Sequence, residues 1–239
     1  MLENILDRTE PVGVKPMTKE FFASVYTYMF VALGISGVTA FMVGEVFQTG
    51  FVEFIKSPTG GLSPIFYVIA FAPLGLVLLM QMRMAKLSMS MLLALFVGFS
   101  FLMGLSLATI FLQYKLGTIF NVFLISAGMF GGMAILGYTT KTDLSKFGSL
   151  MYMLFIGIFI ASLVNFFMQS EAMGYWISFI GIFVFTGLTA WEMQKLKYIA
   201  ADPQYAGEEK KKLALIGGLS LYILFINLFL SLLRVFGRE

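Results

Sequence analysis

Glu192 is the acidic residue that lies closest to the interior of a long uncharged stretch, and a carboxylate in such a place can hold a proton or a cation. It follows the uncharged residues 172–191 and precedes Lys195. If the helix continues to about Ile199, before Asp202, Glu192 lies about one turn inside the apolar segment. The alternative is a solvent-exposed Glu192–Lys195 pair at i,i+3 spacing, which is worth a few tenths of a kcal/mol.

Asn165 and Asn227 place carboxamide groups inside two other uncharged stretches, 147–170 and 213–233. Amides in such stretches can line a water-filled path for an ion. The alternative, and the more common role, is a hydrogen bond that joins neighbouring helices. Together with Glu192, these two residues are the candidate ion-pathway and pH-sensing groups.

The chain contains no Cys and no His. It therefore has no disulfide, no thiolate nucleophile, no Ser–His hydrolytic pair and neither of the side chains that most often bind zinc. No Gly-rich nucleotide-binding loop of the Walker type occurs either. We expect neither an enzyme nor a protein with a bound cofactor or metal.

The remaining composition is that of a membrane protein. Of the 239 residues, 59% are hydrophobic and 12% are charged, and the mean hydropathy is +0.90, whereas a soluble domain carries about a quarter charged residues. A transmembrane helix needs about 20 apolar residues. The sequence therefore predicts an all-α, polytopic membrane protein, a seven-helix bundle in the lipid bilayer. The uncharged stretches long enough to span are 21–44, 57–82, 87–114, 116–140, 147–170, 172–191 and 213–233.

Residues 1–20 are predicted to form a polar cytoplasmic tail, and residues 21–237 a single membrane domain. Most Lys and Arg residues fall in this tail and in the second, fourth and sixth connections. The positive-inside rule then places the N-terminus in the cytoplasm and the C-terminus across the membrane, and no nucleic-acid partner is expected. The longest connections are the first (45–64) and the sixth (192–212). The alternative for the seventh stretch is a re-entrant segment.

Small residues four positions apart predict where helices pack closely, because small side chains let two backbones approach each other in lipid. We expect such positions at helix–helix contacts. They are Ala40/Gly44, Ala94/Gly98, Ser100/Gly104, Gly128/Gly132 and Gly157/Ala161.

Two passages of the chain carry a family likeness. The first is Gly-Tyr-Thr-Thr-Lys-Thr-Asp-Leu-Ser at 137–145, followed by Asn-Phe-Phe at 165–167. The second is Phe-Thr-Gly-Leu-Thr-Ala-Trp-Glu-Met-Gln-Lys at 185–195, followed by Leu-Tyr-Ile-Leu-Phe-Ile-Asn-Leu-Phe at 221–229. From about residue 20 to 237 the chain resembles the bacterial branch of the Bax inhibitor-1 family, also called transmembrane Bax-inhibitor-motif proteins. The resemblance implies a seven-helix bundle with the last helix at its centre, in the bacterial inner membrane.

The resemblance also implies a pH-sensitive leak through which calcium or other cations cross the membrane. In the family, an Asp in the sixth span and an Asp in the seventh share a proton and gate this leak. The matching positions here are Glu192 and Leu224, so the second acidic position is lost. Two close carboxylates repel each other's charge, and a lone acid lacks that coupling. We therefore expect flux that depends less steeply on pH. The alternative is a non-conducting membrane protein that modulates a membrane-bound protease or another membrane complex.

Overall fold

The fold is given by a computed structural model, which describes residues 16–57 and 61–237. Eight α-helices form within these residues. Their bounds are α1 Pro16–Phe41, α2 Gln48–Ile55, α3 Pro64–Arg83, α4 Met89–Leu107, α5 Leu116–Thr139, α6 Ser145–Met168, α7 Glu171–Ala201 and α8 Gly207–Phe236. A π-helical turn, Met42–Val46, extends α1, and a 3-10 turn, Ala108–Leu112, extends α4. Residues 1–15 of the predicted tail lie outside the described residues, and residues 16–20 already belong to α1.

Seven of these helices are long and apolar enough to cross a membrane, which confirms the predicted fold class. Their most apolar 18-residue windows have mean hydropathies between 1.6 and 2.3. The helix that is not a candidate span is α2, which has eight residues. It lies in the first long connection and packs Phe51 and Ile55 against Ala108. The predicted sixth and seventh spans correspond to α7 and α8.

The predicted long connection at 192–212 is wrong, because most of it is helical. Helix α7 continues to Ala201 and α8 begins at Gly207, so the loop is only 202–206. The reason is amphipathicity, which the limits of the uncharged stretches do not detect. Leu196 and Ala200 are buried while Lys195 and Tyr198 are exposed, so the helix keeps a packed face beyond its last apolar run. The prediction that the helix continues to about Ile199 is confirmed, since it ends at Ala201.

Helix α8 lies at the centre of the bundle and packs chiefly against α7, α1 and α5. Its most apolar window is 61% buried, compared with 6% for α6. A helix that is apolar on every side is stable only where neighbours surround it. Its buried residues accordingly cover several faces, and they include Leu215, Leu219, Leu221, Tyr222, Phe225, Leu228 and Leu232.

Helix α8 runs in the same direction as α1. A Cβ added to Gly218 would lie 2.6 Å from the backbone oxygen of Val25, and further along, Ile226 and Phe229 face Ser36 across a shared cavity. A re-entrant segment would reverse direction within its length. The seventh segment is instead one continuous helix of 30 residues, about 45 Å long.

The small-residue spacing predicts only part of the close packing. A Cβ on Gly104 would lie 2.5 Å from Cβ of Thr39, and one on Gly44 would lie 2.5 Å from the backbone oxygen of Ala108. The other three predicted pairs do not mark close packing at their glycines, so the prediction is wrong there. A Cβ on any of these glycines would meet open space, because the spacing alone does not tell which face of a helix meets a neighbour. They are Gly98, Gly128, Gly132 and Gly157.

Candidate functional site

Glu192 is buried in α7, with 6% of its surface exposed, and its carboxylate is paired with Lys195. Both carboxylate oxygens accept hydrogen bonds from Lys195 Nζ, at 3.2 and 3.3 Å. The Lys195 side chain is about half exposed. The i,i+3 pair considered from the sequence therefore forms, but its acidic member lies inside the bundle and only its basic member reaches the surface.

The ammonium group of Lys195 also lies over an aromatic ring. Its Nζ is 5.6 Å from the centroid of the Trp191 ring, within the range of a cation–π contact. Trp191 in turn covers Gly148 of α6, where any side chain would overlap the indole. The contact between α6 and α7 thus fixes the ring that holds the lysine beside Glu192.

Gln194 ties the loop between α5 and α6 to α7. It is 2% exposed, and its Oε1 accepts a hydrogen bond from the Leu144 backbone N–H at 2.8 Å. Its Nε2 donates to the Thr142 backbone oxygen, also at 2.8 Å. Both ends of the amide are therefore satisfied by one loop, and the loop is held two residues from Glu192.

The same loop carries an exposed acid whose environment favours its charged form. Oδ1 of Asp143 accepts hydrogen bonds from the Ser145 hydroxyl at 2.6 Å and from the Ser145 backbone N–H at 2.9 Å. These two bonds, the side-chain one above all, lower the pKa of Asp143 below its ordinary value of 3.8, and Lys146 adds a smaller effect in the same direction.

Helix α5 approaches α7 on another side of this region. Gly137 lies against the backbone of Ala190, and Lys197 Nζ donates to the Tyr138 backbone oxygen at 2.8 Å, near the end of α5. The ammonium also lies 5.5 Å from the centroid of the Tyr138 ring. This lysine satisfies a carbonyl group at the helix end that has no partner within the helix.

The groups that can carry charge around Glu192 therefore come from three helices. Lys195 and Lys197 lie on α7 itself, Tyr138 on α5 and Tyr26 on α1. The Tyr26 hydroxyl lies 3.8 Å from the sulfur of Met193, the residue next to Glu192. From α8, Lys210 Nζ donates to the Ala200 backbone oxygen at 2.8 Å, two turns further along α7.

The alignment of α7 with α8 locates the other two candidate positions on α8. A Cβ on Gly181 would lie 2.9 Å from Ser231 Oγ, and one on Gly217 would lie 2.6 Å from Leu196 Cδ2. In these antiparallel helices, Glu192 then lies level with a residue near 221. Leu224 is about one turn further along α8. Leu224 is partly buried and packs against the hydrophobic core.

Asn227 lies about one further turn along α8 and is partly buried. Its Nδ2 donates a hydrogen bond to the Ile223 backbone oxygen of its own helix at 2.8 Å. This bond stays within α8. The Asn227 amide donor therefore does not join two helices, which was the more common role considered from the sequence.

Asn165 lies at the other end of α7 from Glu192. Its Oδ1 accepts a hydrogen bond from the Ser170 backbone N–H at 3.1 Å, and its backbone oxygen accepts one from Gln169 at 2.7 Å. Gln169 has a left-handed conformation, with φ of 51°, so Asn165 stabilises the sharp turn that ends α6. With Glu192 about 30 Å away along α7, the structure does not bring these two candidates together.

Nothing in the sequence points to Gln194, Lys197 or Tyr222 as functional residues. Gln194 and Lys197 lie in the last part of α7, beyond the uncharged stretch 172–191, where residue type does not reveal their tertiary contacts. Tyr222 lies in an apolar run, where its ring is indistinguishable from core filling. Within residues 16–57 and 61–237, no group of three or more Asp, Glu, His or Cys could hold a metal ion.

Comparison with known proteins gives matches over nearly the whole chain. Residues 18–239 match a family model described as "Inhibitor of apoptosis-promoting Bax1". The chain is 39% identical to the "Inner membrane protein YbhL" of Escherichia coli strain K12 over 221 residues, which cover 92% of each chain. It is 38% identical over 235 residues to a protein of Borreliella burgdorferi, covering 98% of this chain and 99% of that one. It is also 34% identical to a membrane protein of Streptococcus pyogenes serotype M1 over all 239 residues, covering 100% of both.

Proposed function

Because the chain belongs to the Bax inhibitor-1 family, we propose that it is a passive leak for calcium or other cations across the membrane. The buried carboxylate of Glu192 is the observation that carries this proposal. A carboxylate in an apolar bundle is costly, and in membrane proteins such groups commonly serve ion or proton movement. A transport role also fits the residues better than catalysis does, and we propose no enzymatic activity and no bound cofactor.

The Glu192–Lys195 pair supplies a gate in this proposal. While Lys195 occupies both carboxylate oxygens, no cation can bind there. The lysine is half exposed on a flexible side chain, so it can move to solvent and leave an anionic site at the end of α7. A cation then takes its place. Protonation of Glu192 releases Lys195 as well, but it also removes the charge that attracts the cation.

The pH dependence of this flux is expected to be shallow. At the position of the family's second acid stands Leu224, which cannot ionise, so Glu192 has no carboxylate with which to share a proton. The other ionisable side chains described at this end of α7 are Lys195, Lys197, Tyr138 and Tyr26, and none of them is a second carboxylate.

Calcium entry into liposomes that contain only the purified protein tests the proposal. We expect indicator fluorescence to rise in protein-containing vesicles and not in empty ones. Glu192→Gln is expected to reduce the initial rate by about tenfold or more, because a buried charge contact is worth at least one ordinary charged hydrogen bond. Glu208→Gln is the matched control, since Glu208 is exposed and pairs with Lys212 at 3.2 Å. Vesicles in which the wild-type protein moves no cation would contradict a leak.

A second candidate function is a non-conducting role, in which the protein modulates a membrane-bound protease or another membrane complex. Two observations favour it: Leu224 removes the paired acid, and Lys195 neutralises the remaining one. The discriminating measurement is the same flux assay, because only this candidate predicts no cation movement by the purified protein alone.

We propose the bacterial inner membrane as the location, with the N-terminal end of α1 on the cytoplasmic side. The name of the Escherichia coli relative supports the membrane. The orientation is supported by the Lys and Arg residues, which concentrate at one end of the bundle. They include Arg83 at the end of α3 and Lys86 after it, Lys141 before α6 and Lys146 in its first turn, and Lys210, Lys211 and Lys212 at the start of α8.

A further inference from the structure

Tyr222 presents a buried hydroxyl group at the centre of the bundle. The residue is 0% exposed and lies midway along α8, with its ring 5.7 Å from that of Phe99 in an edge-to-face contact. Among the described residues, its hydroxyl is the buried side-chain polar atom that has no hydrogen-bond partner. A buried hydroxyl in this condition is costly, and most such groups in proteins bond to the chain or to an ordered water molecule.

The Ser36 side chain of α1 lies near enough to influence this hydroxyl as a hydrogen-bond partner, but outside the geometry of a direct hydrogen bond. It is 1% exposed, and its Oγ donates only a long hydrogen bond, 3.4 Å, to the Leu33 backbone oxygen of its own helix. Both hydroxyls therefore keep the capacity for further hydrogen bonds. A buried water molecule needs two to four polar partners, and these two hydroxyls supply two.

A cavity adjoins Ser36 and provides the space. Its volume is about 110 Å³, and it is lined by Ser36 and by apolar residues that include Ala40, Leu107, Ile119 and Ile226. Tyr222 lies one turn before Ile226 on α8. One water molecule occupies about 30 Å³ in the liquid, so the cavity can hold more than one. It lies between the C-terminal parts of α1 and α8, away from the start of α8.

We infer that Tyr222 and Ser36 form a buried water-binding site between α1, α4 and α8, and that this site is a polar step on the cation path. The second half of the inference rests on the function proposed above. A cation that enters an apolar bundle must exchange part of its hydration shell for oxygen atoms. The hydroxyls of Tyr222 on the central helix and of Ser36, which lines the cavity from α1, supply such oxygens.

Hydroxyl-radical footprinting of the purified protein tests the water site independently of transport. Radicals generated from bound water label nearby side chains even when bulk solvent does not reach them. After correction for intrinsic reactivity, we expect Tyr222 to be labelled several-fold faster than Phe99 and Phe225, which are equally buried, and Ser36→Ala to reduce the labelling. Labelling of Tyr222 at the rate of the two phenylalanines would overturn the inference.

Thermal unfolding of Tyr222→Phe gives a second readout of hydration. A dry hydroxyl without a partner destabilises the fold, so its removal would raise the Tm and contradict a water site. A hydrated hydroxyl that bonds through water to Ser36 gives an unchanged or lower Tm, which is the result we expect. Ser126→Ala is the control for removal of a buried hydroxyl, because Ser126 already donates to the Val122 backbone oxygen at 2.7 Å.

Calcium flux of the same variants in liposomes tests the place of the site on the path. Tyr222→Phe is expected to slow the wild-type rate by about fivefold, the effect of losing one hydrogen bond, and Ser126→Ala to leave it unchanged. An unchanged rate in Tyr222→Phe, in a conducting protein, would refute the site as a step on the path. If the wild-type protein does not conduct, the proposed function fails, and footprinting alone then decides the water site.

Discussion

Gly137 of α5 lies directly against the backbone carbonyl of Ala190 in α7, so that a side chain at position 137 would overlap that oxygen. Backbone atoms on both sides of this contact belong to long helices and cannot move aside easily. The contact lies two residues from Glu192 and explains the glycine in the Gly-Tyr-Thr-Thr-Lys segment physically. It brings α5 and α7 together where Lys197 then reaches the Tyr138 carbonyl.

Gly137→Ala is therefore expected to destabilise the protein by about 1–3 kcal/mol, the usual cost of overpacking a close contact. Thermal unfolding in detergent measures this as a lower Tm. The matched control is Gly132→Ala in the same helix, where the added methyl meets open space and no loss is expected. Equal Tm values for the two variants would show that α5 and α7 do not depend on this contact.

Replacement of Gln194 by Leu is expected to release the loop between α5 and α6. The change leaves the Leu144 N–H and the Thr142 carbonyl without their partner, at a cost of about 1–3 kcal/mol for each group that stays buried. Hydrogen–deuterium exchange should show faster exchange at Leu144. Gln113→Leu, at an exposed position, is the control and should leave that exchange rate unchanged.

The sequence predicted the fold well because lipid leaves few alternatives. A run of about 20 residues without charge must form a helix, and seven such runs predict seven helices. It did not predict how the last turns of α7 pack, since Lys195 and Lys197 look like solvated residues until Leu196 between them, and Ala200 beyond them, are seen to be buried.

The residues of the candidate site were predicted only in part, because most of them act through tertiary contacts. Charge identified Glu192, because an acid in an apolar setting is conspicuous in any sequence. The side chains that position its surroundings are not conspicuous. Gln194 acts through contacts with a loop 50 residues earlier in the chain, and Asn165, chosen for its amide, stabilises a turn at the opposite end of α7. Such roles depend on tertiary contacts that no local pattern encodes.

Leu224→Asp is expected to restore a carboxylate pair and make cation flux depend more steeply on pH. The new acid would lie about one turn from the level of Glu192, where like charges disfavour double ionisation and one pKa rises. Flux into liposomes between pH 5 and 8 measures the slope. Leu224→Asn adds a similar polar volume without a titrating group, and it should keep the shallow wild-type profile. Identical profiles for Asp and Asn would contradict the role assigned to position 224.

Acid should weaken the loop around Asp143. Because hydrogen bonds from Ser145 hold the folded-state pKa below the ordinary value of 3.8, the charged form stabilises the fold at neutral pH. This contribution is present above pH 4 and is lost as the pH falls through the lower, folded-state pKa. In Ser145→Ala the pKa of Asp143 should return towards its ordinary value, as an NMR titration of the carboxyl carbon would show. Lys146→Ala should move it less.

The absence of cysteine makes the orientation simple to measure with single introduced thiols. Lys141→Cys and Lys115→Cys place one exposed thiol at either end of α5. In intact spheroplasts, an impermeant maleimide should label Lys115→Cys and spare Lys141→Cys, while both react after detergent treatment. The reverse pattern would place the N-terminal end of α1 outside.

The central position of α8 also has a consequence for biosynthesis. It is the last of the eight helices to leave the ribosome, and it is the one against which α1, α5 and α7 pack. The earlier helices can pair before that, as α1 does with α4 and α6 with α7, but the surfaces that α8 will later cover have no protein neighbour until it arrives. Closure of the bundle is therefore a late event, and a nascent chain halted at the loop 202–206 would lack its central helix.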